Sequence, residues 1–348
     1  MKRHTNQVLN HALGAGLLAL AMGAGAARAD EGTLNVICGV QTEWCSLVQT
    51  TFARSTGIKV NMVQKGAGEA LAQIAAESAN PKTDVWFGGT GDPHLQAAEK
   101  DLTVAYQSPN INLLRDWAVS QARQARYKTV GLYSGPLGFA YNTELLAKKK
   151  LPPPACWADL LKPQYKGEVQ MANPNSSGTA YLAIATMVQI SGEDKAFEYL
   201  KALHRNISQY PRSGAGPLKN VSHGENTIAV AWIHDVPGEV MQGFPVKSVA
   251  PCEGTGYEIG SMSIIKGARN LSNAKKFYDW ALTAPAQELG AAAKQFQLPS
   301  NRDAKVDPRV PDVKRIKLID YDFEKYGKAS ERRRLLERWE REVNGANN

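Results

Sequence analysis

The sequence predicts an α/β protein made of two lobes, and three features of the chain support this fold class. Short apolar or alternating runs over residues 34–37, 58–63 and 84–87 are typical of strands. Helical patterns over 47–55 and 69–79 separate these runs, and such alternation is typical of parallel βαβ units. No low-complexity linker follows the N-terminal segment, so we expect the chain to cross between the lobes more than once.

The rest of the chain continues this pattern. A run of strand-forming residues leads into a helix that starts at Thr143, and later strands are predicted at 167–171, 228–233 and 260–265. Further helices are predicted at 157–161, 180–190, 193–203, 273–283, 285–293 and 330–343. The fifth of these begins with a proline, which suits the first position of a helix because its missing N–H costs nothing there.

Two segments are candidates for the crossings between the lobes. We place them at residues 131–142 and 260–266. The first lobe then comprises residues 30–134 and the second lobe residues 135–262. Residues 263–348 are expected to return to the first lobe and to end in a charged C-terminal helix.

The first 29 residues have the composition of a cleaved secretory signal peptide. Lys2 and Arg3 precede a small apolar stretch at 13–27, and the A-x-A sequence at 27–29 predicts cleavage before Asp30. The signal carries three basic residues and no acidic ones, so its removal lowers the formal net charge from +8 to +5. We therefore expect export to the periplasm.

The composition excludes several other classes of protein. A charged content of 21% with 43% hydrophobic residues excludes a disordered chain, and 4 Cys exclude a disulfide-dense miniprotein. No apolar run after residue 30 approaches the ~20 residues of a membrane helix, and Cys38 lacks a preceding lipobox. The basic helix at 330–343 could bind nucleic acid, but its interleaved glutamates favour packing on the protein body.

Export makes the cysteines candidates for disulfides. Cys38 and Cys45 are seven residues apart and could close a short loop, which leaves Cys156 and Cys252 as the second pair. Four cysteines allow three connectivities, and we predict this one. Metal binding is the alternative, but the chain has no CxxC and no histidines at ligand spacing.

The segment NPNSSGT at 173–179 is the strongest local signal for a ligand site. It follows a predicted strand and opens a long helix, where free backbone N–H groups and the helix dipole favour an anion. Ordinary capping is the alternative, but a cap needs one hydroxyl, whereas this segment offers several. The candidate anion-binding residues are Ser176, Ser177, Gly178 and Thr179, with the flexible turn Ser213 and Gly214 as a weaker addition.

Other candidates lie at the carboxyl ends of strands, where ligands bind in α/β sheets. The ends at 38–43 and 88–92 supply Gln41, Thr42, Glu43, Gly89 and Thr90 as candidate binding residues. The buried strand at 228–233 ends in His234 and Asp235, and Glu258 is a further acidic candidate. Carboxylates would repel an anion, but they suit the hydroxyls of a polyol or an amine.

Catalytic motifs are missing from the sequence. The chain has no G-x-S-x-G, no H-E-x-x-H, no P-loop and no complete G-x-G-x-x-G. A sequential His-Asp pair does not make a catalytic relay. We therefore expect no enzymatic activity and no cofactor, and a secreted enzyme is the rival class that turnover by the purified protein would reveal.

Taken together, these motifs resemble the extracellular solute-binding proteins of bacterial ABC importers, in the group that includes ferric-ion, 2-aminoethylphosphonate and hexose-phosphate binders. The resemblance covers nearly all of the chain after the signal. It is carried, in order, by LNVICGVQTEW, DVWFGG, GPLGFAYNTELL, CWADLLKPQYKGEV, NPNSSGTAY, GENTIAVAWIHD and YEIGSMSIIKGARN. It implies two lobes joined by two crossing strands, a ligand in the cleft, a membrane permease as partner, and a monomer.

The resemblance also bears on the ligand. Iron binders of this group carry adjacent tyrosines where this chain has His234 and Asp235, and a carboxylate where it has Gly89. Fe(III) needs anionic oxygen ligands, so iron is disfavoured. The pattern is similar to the hexose-phosphate binders, which implies that His234, Asp235 and Glu258 hold sugar hydroxyls.

The same resemblance assigns the phosphate to residues 176–179, with help from the turn at Gln41 and Thr42. Binding of 2-aminoethylphosphonate is the alternative within the group, with the carboxylates holding the ammonium group.

Overall fold

The computed structural model describes residues 32–347, so the predicted signal peptide at 1–29 lies outside the described residues. The strands are β1 (Thr33–Cys38), β2 (Lys59–Gln64), β3 (Val85–Phe87), β4 (Val130–Asn142), β5 (Val169–Gln170), β6 (Ile207–Gln209), β7 (Ile228–Trp232), β8 (Val246–Val249), β9 (Tyr257–Ile264) and β10 (Leu298–Pro299). The described helices include none that is long and apolar enough to cross a membrane.

The α-helices alternate with these strands. They are α1 (Thr42–Thr56), α2 (Ala67–Ala76), α3 (Gly91–Glu99), α4 (Asp116–Gln124), α5 (Thr143–Lys149), α6 (Gly178–Ser191), α7 (Glu193–His204), α8 (Gly216–Ser222), α9 (Val236–Val240), α10 (Leu271–Ala281), α11 (Ala284–Gln287), α12 (Leu289–Ala292), α13 (Phe323–Tyr326) and α14 (Ala329–Glu342). The segment predicted as one helix at 285–293 is thus two short helices, and the segment at 157–161 is a 3₁₀ helix.

The two-lobed α/β fold is confirmed, and two long strands join the lobes. The strand order is β2-β1-β3-β9-β4-β7-β5-β6, with β8 and β10 also paired to β4. β1 is parallel to β2 and β3 in the first lobe, and β5 is parallel to β6 and β7 in the second. The first half of β4 pairs antiparallel with β9, and its second half pairs with β7.

The crossing strands bring residues of the future site to the junction of the lobes. β9 starts at Tyr257, three residues before the predicted crossing, and this places Glu258 opposite Gly135. A β carbon on Gly260 would lie 2.0 Å from the ring of Tyr133, so only glycine leaves room for that ring. Tyr133 is therefore buried at the junction.

Each lobe has its own apolar core. The first core contains Val36, Phe52 and Phe277, and the rings of the last two meet edge to face with centroids 5.0 Å apart. The second core contains Phe139 and Trp157, which also meet edge to face at 4.6 Å. The sheets are continuous, but the cores are separate, so the lobes are distinct packing units.

The C-terminal helix α14 was expected on the first lobe, but its buried face packs on the second lobe, and it contacts the first lobe at α3, where the backbone N–H of Ala329 donates to the Glu99 carboxylate at 2.8 Å. Its buried residues Leu335 and Trp339 belong to the core of the second lobe, and the Trp339 ring meets Tyr210 edge to face at 5.5 Å. Arg338 extends over the Phe197 ring and pairs with Glu193 at 2.8 Å. An amphipathic pattern shows which face of a helix is buried but not which surface covers it, so the sequence could not make this distinction.

Two disulfides are present. Cys38 pairs with Cys45 beside the start of α1, and Cys156 pairs with Cys252 in the second lobe. The latter ties the segment before β9 to the 3₁₀ helix that begins at Trp157. The carboxylate of Glu253 reinforces this link, because it accepts hydrogen bonds from the backbone N–H groups of Trp157 and Ala158.

Candidate functional site

A cavity of about 370 Å³ lies between the two lobes. Segments from both lobes and both crossing strands line it. The lining residues are Gly39, Val40, Gln41, Thr42, Gln64, Lys65, Gly66, Ala67, Glu69, Gly89, Thr90, Tyr133, Ser177, Gly178, Thr179, Ser213, Gly214, Ala215, Gly216, Lys219, Trp232, Asp235, Glu258 and Gln297. Its size and its polar lining are suited to a small hydrophilic molecule.

The first-lobe wall is built from the ends of β1, β2 and β3. The hydroxyl of Thr42 donates to Oε1 of Gln64 at 2.8 Å, and Nε2 of Gln64 donates to the carbonyl of Val40 at 2.6 Å. These bonds fix the turn that presents Gln41. After β3 the chain turns at Gly89, whose φ of 90° favours glycine, and this turn presents Thr90.

The second-lobe wall is the start of α6 with the loop before α8. The hydroxyl of Ser177 caps α6 by accepting a hydrogen bond from the backbone N–H of Ala180 at 3.3 Å. Gly178 and Thr179 form the first turn, where backbone N–H groups lack intrahelical acceptors. The helix start therefore faces the cavity with a partial positive charge.

The floor of the cavity is acidic. Asp235 and Glu258 are 6% and 3% exposed. Burial raises the pKa of Asp235 to about 7, and Glu239 adds to this, whereas a hydrogen bond from Gln41 and the charge of Lys219 oppose it. Burial, with the nearby Asp235 and Asp92 carboxyls, holds the pKa of Glu258 well above its usual range.

The structure brings most of the predicted site residues together at this cavity. Those that line it are Gln41, Thr42, Gly89, Thr90, Ser177, Gly178, Thr179, Ser213, Gly214, Asp235 and Glu258. They come from six separate segments of the chain. Strand ends and helix starts were therefore good guides to the cavity wall.

Three predicted site residues do not line the cavity. Glu43 is exposed in the first turn of α1. The hydroxyl of Ser176 donates to the carbonyl of Arg212 at 2.7 Å, so it is used within the protein. His234 is fully buried behind the floor, with Nε2 3.5 Å from Oδ1 of Asp235 and 3.6 Å from Oε1 of Glu258.

Other lining residues were not foreseen from the sequence. Lys65 directly follows β2, so the strand-end rule that found Gln41 could have found it as well. Lys219 lies within α8 and Tyr133 within β4, where no local pattern marks them. The hydroxyl of Tyr133 accepts a hydrogen bond from the backbone N–H of Gly89 at 2.9 Å.

The two lobes meet around the mouth of the cavity. Arg212 of the second lobe pairs with Glu69 of α2 at 2.5 Å. The backbone N–H of Gly68 donates to the carbonyl of Ser176 at 3.2 Å. These contacts join opposite walls, so the structure has its cleft closed.

Comparison with known proteins agrees with this architecture. The profile of the family described as bacterial extracellular solute-binding protein matches residues 80–325. An uncharacterised protein of Haemophilus influenzae is 44% identical over 329 residues, covering 94% of this chain and 95% of its own.

Two solved structures are also similar. One is the periplasmic binding protein AfuA of Actinobacillus pleuropneumoniae with exogenous fructose 6-phosphate bound, at 46% identity and a TM-score of 0.88. The alignment covers 90% of this chain and 99% of the AfuA chain. The other is the periplasmic binding protein P5PA, at 41% identity and a TM-score of 0.87, with coverages of 90% and 99%. The resemblance seen in the sequence motifs is thus confirmed: the chain belongs to the family of bacterial extracellular solute-binding proteins.

Proposed function

We propose that this protein binds a sugar phosphate in the cavity between its lobes, in the periplasm, and delivers it to the permease of an ABC importer. The observation that carries the proposal is that a helix start and two buried carboxyls line the same cavity. The helix start suits a phosphate, and the carboxyls suit hydroxyls. A sugar phosphate is a small molecule that offers both groups.

The phosphate is assigned to the start of α6. Ser177 and Thr179 supply hydroxyls, and the first turn supplies backbone N–H groups. Lys65 and Lys219 also line the cavity and add positive charge. Thr90 faces the same turn from the first lobe, and its buried Oγ1 has no hydrogen-bond partner among the described residues.

The sugar is assigned to the acidic floor. Asp235 and Gln41 both line this side of the cavity, and Oε1 of Gln41 is buried without a protein hydrogen-bond partner in residues 32–347. Glu258 completes this side of the cavity. The relative AfuA, whose structure holds fructose 6-phosphate, supports a ligand of this class.

The two other ligands of the family fit this cavity less well. Fe(III) calls for anionic oxygen ligands such as tyrosinates. The tyrosine that lines the cavity, Tyr133, accepts a hydrogen bond from Gly89, and burial holds its pKa well above the usual range. For 2-aminoethylphosphonate the carboxyls would hold the ammonium group, but this molecule is smaller than a hexose phosphate and would fill less of the cavity of about 370 Å³.

A thermal-shift screen tests the proposal. Glucose 6-phosphate and fructose 6-phosphate should raise Tm, since a ligand at 100 times its Kd adds about 2.7 kcal/mol to the free energy of unfolding. We expect 2-aminoethylphosphonate and Fe(III) to leave Tm unchanged. A shift by either of these alone, or turnover of a sugar phosphate by the purified protein, would contradict the proposal.

A further inference from the structure

The side chains of His234, Asp235 and Glu258 are packed together at the floor of the cavity. Nε2 of His234 lies 3.5 Å from Oδ1 of Asp235 and 3.6 Å from Oε1 of Glu258. All three residues are at least nine-tenths buried. A charge on any of them is removed from water, so it has to be balanced by a neighbouring group.

The groups around this cluster do not supply that balance. Asp92 of α3 and Tyr133 of β4 lie near Glu258, and Glu239 of α9 lies near Asp235. Lys219 of α8 acts on Asp235, and Arg332 of α14 acts on Asp92. Within residues 32–347, no lysine or arginine nitrogen forms an ion pair with Asp235 or Glu258. The buried carboxyls of Asp92, Asp235 and Glu258 therefore share one region with too little positive charge.

His234 does not supply the missing charge either. An imidazolium donates a hydrogen bond from each ring nitrogen. Nδ1 of His234 has no acceptor in the described part of the chain, and it lies against Gly135, where a β carbon would be 1.8 Å away. The backbone of β4 thus leaves no space for an acceptor. The ring is neutral, in agreement with burial lowering its pKa to about 3.

The proton that the cluster needs is held by one of its carboxyls. The side-chain amide of Gln41 and the charge of Lys219 both favour the ionised form of Asp235. Glu258 has no such support, because the charges that act on it are the carboxyls of Asp235 and Asp92. Burial and these two neighbours both favour a neutral Glu258.

We infer that Glu258 keeps its proton in the closed cleft and donates a hydrogen bond from its carboxyl O–H to an oxygen atom of the ligand. The identity of that ligand rests on the proposed function, but the protonation of Glu258 does not. The carboxyls of the floor then have different roles, since Asp235 accepts hydrogen bonds from hydroxyls and Glu258 donates one. A ligand that fits must place an acceptor oxygen at Glu258.

The protonation of Glu258 is tested by isotope-edited infrared spectroscopy, with only the glutamate carboxyls labelled so that aspartates are silent. At pH 7 the parent protein should show the carbonyl band of a protonated glutamic acid. Glu258→Gln should remove this band, and Glu43→Gln, at an exposed position of α1, should leave it in place. A parent without the band, or a band that persists in Glu258→Gln, would overturn the inference.

The donor role is tested by calorimetry with glucose 6-phosphate over the pH range in which the infrared band disappears. Affinity of the parent should fall by about tenfold per pH unit above the midpoint, because the donor is lost. Glu258→Gln should lack this fall, since an amide N–H donates at every pH. An affinity that stays level or rises in the parent would overturn the donor role. If the parent binds no sugar phosphate at any pH, the proposed function fails while the spectra still decide the protonation.

Discussion

Gly178 and Thr90 belong to opposite lobes, yet a β carbon on Gly178 would lie 1.8 Å from Oγ1 of Thr90. Gly178 is the first residue of α6, and Thr90 immediately precedes α3. The start of the proposed phosphate-binding helix therefore touches the first lobe directly when the cleft is closed. Any side chain at this position has to separate the two walls.

Gly178→Ala should prevent complete closure. Overpacking of this kind costs about 1–3 kcal/mol, which corresponds to a loss of about fivefold to 150-fold in affinity for glucose 6-phosphate. Calorimetry measures the loss, and small-angle scattering should show that ligand no longer reduces the radius of gyration. Adding Thr90→Ala, which removes the clashing hydroxyl, should recover part of the closure. A Gly178→Ala protein that closes like the parent would show that the lobes do not meet here.

Ser177→Ala and Asp235→Ala should separate the two sides of the site. Loss of the Ser177 hydroxyl removes a charge-assisted hydrogen bond, worth about 1.5–3 kcal/mol, and should weaken all phosphorylated ligands by a similar factor. Asp235→Ala should weaken glucose 6-phosphate and leave inorganic phosphate unchanged or improved, because a nearby negative charge is gone. Calorimetry with both ligands makes the comparison. Full affinity of Asp235→Ala for glucose 6-phosphate would refute the assignment of the sugar.

Asp92 should make the protein less stable as pH rises. Burial raises its pKa to about 7, although Arg332 and Tyr321 oppose this. The folded state thus holds a proton that the unfolded chain releases above about pH 4. The free energy of unfolding should fall by up to about 1.4 kcal/mol per pH unit between pH 4 and 7.

Urea denaturation of Asp92→Asn at several pH values tests this. The variant should lose much less stability than the parent between pH 4 and 7. Asp116→Asn is a suitable control, because the side chain of Asp116 is 96% exposed. Parallel stability curves for the parent and Asp92→Asn would contradict the prediction.

The two disulfides should differ in their contribution to stability. Cys156 and Cys252 are 96 residues apart, and Cys38 and Cys45 only 7. From loop-closure entropy, replacing Cys156 and Cys252 by serines should cost about 4–5 kcal/mol. Replacing Cys38 and Cys45 by serines should cost about 2–3 kcal/mol. Urea denaturation of the two double variants gives the comparison. If the two double variants lose equal stability, or if the loss is larger for Cys38 and Cys45, strain or residual structure outweighs the effect of loop length.

The local sequence pattern was informative where a single segment determines whether a residue lies at the cavity. The helix start at Ser177 and the strand end at Asp235 could be found because capping hydroxyls and the ends of buried strands are visible in sequence. Tyr133 was missed, because its place at the cavity depends on the space left by Gly260 on a strand distant in sequence. His234 and Asp235 were both predicted at the cavity wall, but only Asp235 lines the cavity, and His234 is buried behind it.

The most direct test of the account is calorimetric titration of the mature protein with glucose 6-phosphate, glucose and inorganic phosphate. If one cavity holds both the phosphate and the sugar, glucose 6-phosphate should bind once per chain and at least about tenfold more tightly than either fragment. Absence of glucose 6-phosphate binding, together with binding of 2-aminoethylphosphonate or Fe(III), would contradict it.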